Sequence, residues 1–144
     1  MKDFHSNMKA VVAIAAAALD ADPTAVTIDL KGYDGAEFVL EIGAGGITFD
    51  ATNKIEYKLT ESDDDSTYTA VADADVLGAS VATGGIVKSL VAAHAAAAVY
   101  RFGYRGSKRY LQLVPDFSGT HGTATPMAAV ALLRGTDNPQ ADQI

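Results

Sequence analysis

Three histidines, a run of aspartates, a glycine-rich stretch and a cluster of cations are where the side chains of this sequence could do chemistry. His5, His94 and His121 stand too far apart for the H-x-x-x-H or H-x-H spacing of a metal pair, so each reads as structural or solvated. Ser118, Thr120 and Thr123 flank His121. No G-x-S-x-G elbow presents any of them as a nucleophile, and nothing points to a triad. Asp63, Asp64 and Asp65 offer adjacent carboxylates that suit a hard cation such as calcium. No glutamate follows at EF-hand spacing, so a solvated β-turn is expected there instead. Gly43-Ala44-Gly45-Gly46 has the look of a phosphate cradle but lacks the G-K-[ST] ending and a clear following helix, and is expected to be a hairpin turn. Glu37 and Glu41 share the outward face of one strand, where solubility is the expected use; a glycosidase pair is defined by distance, not by sequence. Tyr57, Tyr68, Tyr100, Phe102, Tyr104 and Tyr110 could stack on sugars, but their alternation favours core packing, and there is no tryptophan. The sequence thus assembles no catalytic site, and no enzyme activity, metal or cofactor is expected.

The cations Arg101, Arg105, Lys108 and Arg109 crowd into nine positions. They read first as a solvated hairpin end pairing with acidic neighbours. Elsewhere acid dominates, 18 Asp and Glu against 11 Lys and Arg, for a formal charge of −7. Such a surface repels phosphate backbones and anionic lipid, so neither nucleic acid nor membrane is an expected partner. The absence of cysteine removes disulfides, thiol catalysis and thiolate zinc sites, and fits cytosolic synthesis. Ala10 to Leu19 follows Lys2 and Lys9 as a secretory h-region would. It is about ten residues against the roughly 20 of a membrane span, and no small-x-small cleavage site follows, so no signal peptide is expected.

A chain of 144 residues fits one domain, and the elements that would position these groups divide it in three. Residues 1–24 read as an alanine-rich arm, helix-compatible from Met8 to Leu19 and stopped by Asp20-Ala21-Asp22-Pro23. A helix of that length is marginal in isolation, so the arm is expected to order by docking on its own domain or on a neighbouring subunit. From residue 25 to 136 the period is two. Val26, Ile28 and Leu30 alternate with polar residues; Phe38, Leu40 and Ile42 face inward; so do Ile55, Tyr57 and Leu59, before the hairpin loop Ser62 to Ser66. Val71 to Leu77 and Ile86 to Val91 can be strands, while Ala92 to Ala98 scores as helix on propensity alone. Tyr100, Phe102 and Tyr104 lead into the turn Gly106-Ser107-Lys108 and on to Tyr110 to Val114, read as a hairpin. A loop over residues 115–125 precedes a last strand, Ala128 to Leu133, and residues 137–144 read as a polar tail. The fold class expected is all-β, a single antiparallel sandwich of roughly seven to nine strands, jelly-roll-like or Ig-like, with an N-terminal arm.

Three stretches carry a resemblance: Val26-Thr27-Ile28-Asp29-Leu30-Lys31-Gly32-Tyr33-Asp34-Gly35-Ala36-Glu37-Phe38; Tyr57-Lys58-Leu59-Thr60-Glu61-Ser62-Asp63-Asp64-Asp65-Ser66-Thr67-Tyr68; and Tyr104-Arg105-Gly106-Ser107-Lys108-Arg109-Tyr110-Leu111 with the later Gly119-Thr120. Together they resemble a family of small virion proteins of tailed phages and prophages, encoded near the major capsid protein. The resemblance covers most of Val26 to Leu133 and leaves out the arm. It implies a structural role as a decoration or cement protein on the capsid exterior, made in the host cytoplasm, with the major capsid protein as partner and a homotrimer as a plausible state. It carries over no catalytic residue. On that reading Arg101, Arg105, Lys108 and Arg109 become the candidate capsid contact. A tail or head-tail connector protein, or a carbohydrate-binding module, are the alternatives.

Overall fold

Residues 5–135 and 143 are described by a computed structural model. Among the described residues, ten strands form two antiparallel sheets. The first sheet has the order β1 (Met8–Leu19), β10 (Thr125–Arg134), β3 (Gly35–Ile42), β8 (Ala98–Tyr104), β6 (Val76–Leu77). The second has the order β2 (Ile28–Asp29), β9 (Tyr110–Ser118), β4 (Lys54–Ser62), β5 (Thr69–Ala70), with β7 (Ile86–Leu90) also on β4. The antiparallel sandwich expected from the alternation is therefore present. β4 and β9 pair without a break from Lys54↔Ser118 to Ser62↔Tyr110, which makes them the spine of the second sheet.

The core lies between the sheets, and period-two sequence supplies both of its walls. Phe38, Leu40 and Ile42 from β3 and Ala129, Ala131 and Leu133 from β10 face Ile55, Tyr57 and Leu59 from β4 and Leu111 and Leu113 from β9; all are buried. Phe38 and Phe102, directly opposite across β3 and β8, stack with ring centroids 5.4 Å apart. The Tyr57 hydroxyl is inside this core, with Met127 Sδ 3.6 Å away, and burial raises its pKa well above the ordinary tyrosine value.

The structure corrects several local expectations, among them the loop from residue 115, whose first four residues complete β9. Met8–Leu19 is not helical: it is β1, in register with β10 from Met8↔Arg134 to Leu19↔Thr125, with irregularities between Val12 and Ile14 and between Ile14 and Ala17. Helix propensity is a weak preference, and a ladder along β10, together with burial of Ala13 and Ile14, overrides it. The glycine stretch after β3 is not a hairpin turn, because β3 and β4 belong to different sheets and residues 43–53 cross between them. The turn after Tyr104 is likewise a crossover, since β8 lies in the first sheet and β9 in the second. Finally, the continuous strand expected over 71–77 is interrupted by a 3-10 turn at Asp73–Asp75. The expected polar tail lies outside the described residues, Gln143 excepted.

Tyr104 pins the second crossover. Its hydroxyl donates to Glu61 Oε2 at 2.6 Å and accepts the Lys108 N–H at 3.1 Å, while the Arg105 N–H donates to the Asp75 carbonyl at 2.9 Å. Desolvation, and then the bond to Glu61, raise the Tyr104 pKa. The aspartate loop, by contrast, is the hairpin expected: β4 folds back onto β5 through Thr60↔Ala70 and Glu61↔Thr69. Among the described residues no helix is long and apolar enough to cross a membrane.

Candidate functional site

The histidines are bound into loops. His94 Nδ1 lies 3.0 Å from the Gly43 carbonyl and Nε2 lies 3.3 Å from the Tyr100 hydroxyl. A carbonyl only accepts, so in the neutral ring Nδ1 carries the proton and Nε2 accepts from the tyrosine. The His94 carbonyl in turn accepts the Gly45 N–H at 3.2 Å, which ties the glycine stretch to residue 94. Gly46 has φ +82°, and a Cβ there would fall 2.3 Å from Thr125 Oγ1. Gly46 is thus required by its left-handed backbone and by close packing. His121 Nε2 donates to the Ser118 carbonyl at 2.9 Å, and its ring meets Phe117 edge-on at 4.9 Å. Its Nδ1 is buried without a hydrogen-bond partner among the described residues. His5 lies in a short 3-10 turn before β1.

The carboxylates of the aspartate loop are engaged by the loop itself and by neighbouring side chains. Asp64 Oδ1 accepts the N–H groups of Ser66 and Thr67 at 3.0 and 2.8 Å and the Ser62 hydroxyl at 2.9 Å. Those bonds, led by Thr67, lower its pKa. Asp65, at φ +56°, accepts from the Tyr68 hydroxyl and from Thr27 Oγ1. Asp63 pairs with Lys108. The recess beside them, lined by Glu61, Ser62, Asp63, Asp64, Thr67 and Lys108, holds about 230 Å³, below the roughly 300 Å³ at which small-molecule sites begin. No group of three or more metal-ligating side chains forms among the described residues.

The rings do not make a platform. Tyr57, Phe102 and Tyr104 are core residues, Lys88 Nζ covers the Tyr100 ring at 4.1 Å, and the Arg109 guanidinium covers Tyr110 at 4.6 Å.

Each of the four cations has a partner of its own. Arg101 is on the outer face of the first sheet and bonds Glu37 at 2.9 Å. Arg105 Nε donates to the Ala74 carbonyl at 2.9 Å. Lys108 reaches the aspartate loop. Arg109 grips Asp29 with two bonds, Nε to Oδ1 at 2.8 Å and Nη2 to Oδ2 at 2.7 Å. The acidic pairing read from the sequence is found for three of the four.

What the charge pattern did not reveal is an apolar face. Among the described residues, the exposed large hydrophobics are Val12, Leu77, Val91, Val99 and Val130. Four of these five lie on the outer face of the first sheet, with Val91 in the loop after β7. Val12 sits opposite Val130, Val130 opposite Val39, and Val39 opposite Arg101, a single cross-strand row over four strands. Val99 lies two residues before Arg101 on the same side, and Leu77 flanks it on β6 through Gly103. Val99 and Arg101 are 63% and 75% exposed, so the row is a surface rather than a second core. The sequence signal is apolar residues at outward positions of the alternation: Val39 between Glu37 and Glu41, and Val99 before Arg101.

Comparison with known proteins adds little to this geometry. No family model and no curated protein matches the chain. A solved structure described as "Bacillus endospore appendages form a novel family of disulfide-linked pili" aligns over 95% of this chain and 97% of that one, at 13% identity and a TM-score of 0.39. A likeness of that degree carries no weight for role.

Proposed function

We propose that this protein is a structural virion protein of a tailed phage, docking on the outside of the capsid and stabilising the shell. The observation that carries the docking part is the aliphatic row on the first sheet. Single exposed hydrophobics are ordinary, but a set gathered on one sheet face, rimmed by Glu37, Glu41 and Arg101, has the make-up of a contact surface. The capsid as partner rests on the resemblance of residues 26–38, 57–68 and 104–111 to small head proteins. Those stretches hold turns and crossovers, so they specify the scaffold rather than the contact. Of the four cations suggested by charge, Arg101 belongs to this face; Lys108 and Arg109 are already engaged with Asp63 and Asp29.

Docking of this kind needs no reactive group. Many weak contacts, repeated over a shell, sum by multivalency.

The test is co-sedimentation of the purified chain with shells assembled from the major capsid protein encoded in the same genome. Wild-type protein is expected to load the shells. Val99→Asp and Val130→Asp should each weaken loading about tenfold or more, the equivalent of about 1.4 kcal/mol, while circular dichroism shows each variant still folded at the assay temperature. Failure of wild type to load, or gold label confined to tails in negative-stain images of virions, would overturn the reading.

A further inference from the structure

The middle of the first sheet carries a square of side chains that complements itself. β3 and β8 pair in unbroken register from Ala36↔Tyr104 to Ile42↔Ala98. On their outer face Val39 stands opposite Arg101, and Glu41 opposite Val99. The two valines thus occupy one diagonal of the square and the two charges the other. The alternate residues Leu40, Ile42 and Phe102 are buried in the core, which fixes all four corners as outward. Three of them stand in solvent: Val99 is 63% and Arg101 75% exposed, and Glu41 is exposed as well.

The two charges are unequally committed. Arg101 meets Glu37 at 2.9 Å, yet with 75% of its side chain in solvent most of its five N–H donors stay available. Glu37 reaches Arg101 from outside the square. Its Oε2 lies 2.8 Å from where a Cβ on Gly103 would be, so its carboxylate fills the notch that this glycine leaves on β8. Glu41 makes no ion pair among the described residues.

We infer that this square is a contact between two copies of the chain, related by a two-fold axis along the line from Val39 to Val99. A face laid on a copy of itself must be self-complementary, and the pattern of corners selects the axis. Along the valine diagonal, Val39 meets Val39, Val99 meets Val99, and Arg101 of each copy meets Glu41 of the other, twice per dimer. Along the other diagonal like charges would meet. An axis along the strands, or across them, would press each charge onto a valine and bury it unpaired. Only the first arrangement covers the valines and pairs the charges together. Leu77 on β6 and Val130 on β10, both exposed, flank the square and extend its apolar margin.

This contact and the capsid docking proposed above use one face, so they exclude each other: the dimer is the state of the free chain, and a shell binds the chain in its place. The inference does not rest on the capsid reading, because it is tested on the isolated full chain. Sedimentation velocity over a concentration series is run in about 0.15 M salt, where repulsion between two acidic bodies is screened beyond about 8 Å. It is expected to show a monomer–dimer equilibrium. Val99→Asp sets two carboxylates against each other on the axis and should leave the chain monomeric. Glu41→Arg and Arg101→Glu should each weaken the dimer about tenfold or more, because either variant alone sets like charges in both contacts. Mixed in equal amounts, these two variants should form a heterodimer of wild-type strength, since both contacts then join opposite charges. Circular dichroism checks that each variant is folded. The inference fails if the wild-type chain stays monomeric throughout, if Val99→Asp dimerises like wild type, or if the mixture associates no more strongly than its components. A chain that stays monomeric and still loads shells overturns the dimer alone; one that dimerises as described but does not load shells overturns only the capsid reading.

Discussion

Asp29 and Arg109 show how the cation cluster settled once folded. They stand opposite sides of the β2–β9 pairing, and the guanidinium meets the carboxylate with two parallel bonds. Those bonds hold the Asp29 carboxyl below its ordinary value of 3.8, at about 2. A carboxylate whose pKa is depressed by folding adds stability above its unfolded pKa and loses it as the pH falls through the folded one. The contribution is therefore full above about pH 4 and is lost as the pH falls through about 2. Both side chains are more than two-fifths exposed, so solvent screening keeps the contribution of the pair small at neutral pH. Urea unfolding of wild type and Asp29→Asn at pH 7 and across a series from about pH 5 to 2 is expected to show the variant slightly weaker at pH 7. The two should converge at the acid end. Parallel curves would mean that the pair is energetically silent. Asp50 and Asp64, also lowered by bonds from their own turns, are common to both proteins and cancel in the comparison.

Among the elements, β1 marks the limit of what local sequence says. Nothing in its run of alanines alternates, and alanine is the best helix former; the information that makes it a strand lies in β10, whose edge it covers. Ile14 is where this edge strand reaches the core, buried at a register irregularity. Ile14→Ala should cost about 2–4 kcal/mol in chemical denaturation, as buried aliphatic truncations do, while Ala16→Ser on the exposed stretch should stay within about 0.5 kcal/mol. Equal effects would mean that β1 is not anchored through Ile14. The inward faces of β3 and β4, the existence of the last strand and the Asp63–Asp65 hairpin were legible, because period two and turn residues report burial and reversal directly. The crossovers after Ile42 and Tyr104 were not. Alternation says which face of a strand is buried, but both walls of a sandwich face the same core, so it leaves the choice of sheet open. Contacts such as Tyr104 to Glu61, 43 residues apart, make that choice. The valine row escaped notice for a related reason: each valine alone is unremarkable on a strand, and only the registers Val12↔Val130 and Val130↔Val39 set them side by side.

At the scale of the whole molecule, two packed sheets and a net charge of −7 describe a body whose asset is its exterior. If its role is to cement a shell, the physics is linkage: a protein that binds the assembled lattice and not the free subunit stabilises the lattice by RT ln(1 + [L]/Kd) per site. At a hundredfold excess over Kd that is about 2.7 kcal/mol per occupied site, and the shell gains through every site at once. The midpoint for thermal disruption of assembled shells, followed by light scattering, should therefore rise with the concentration of this chain and level off at saturation. Melting of unassembled capsid protein should not move. Val99→Asp should shift the rise to higher concentration in proportion to its weaker loading, without lowering the plateau, because the change alters affinity rather than the number of sites. A disruption midpoint that stays put at saturating protein, or an equal shift in the free subunit, would separate mere adhesion from cementing and exclude the latter.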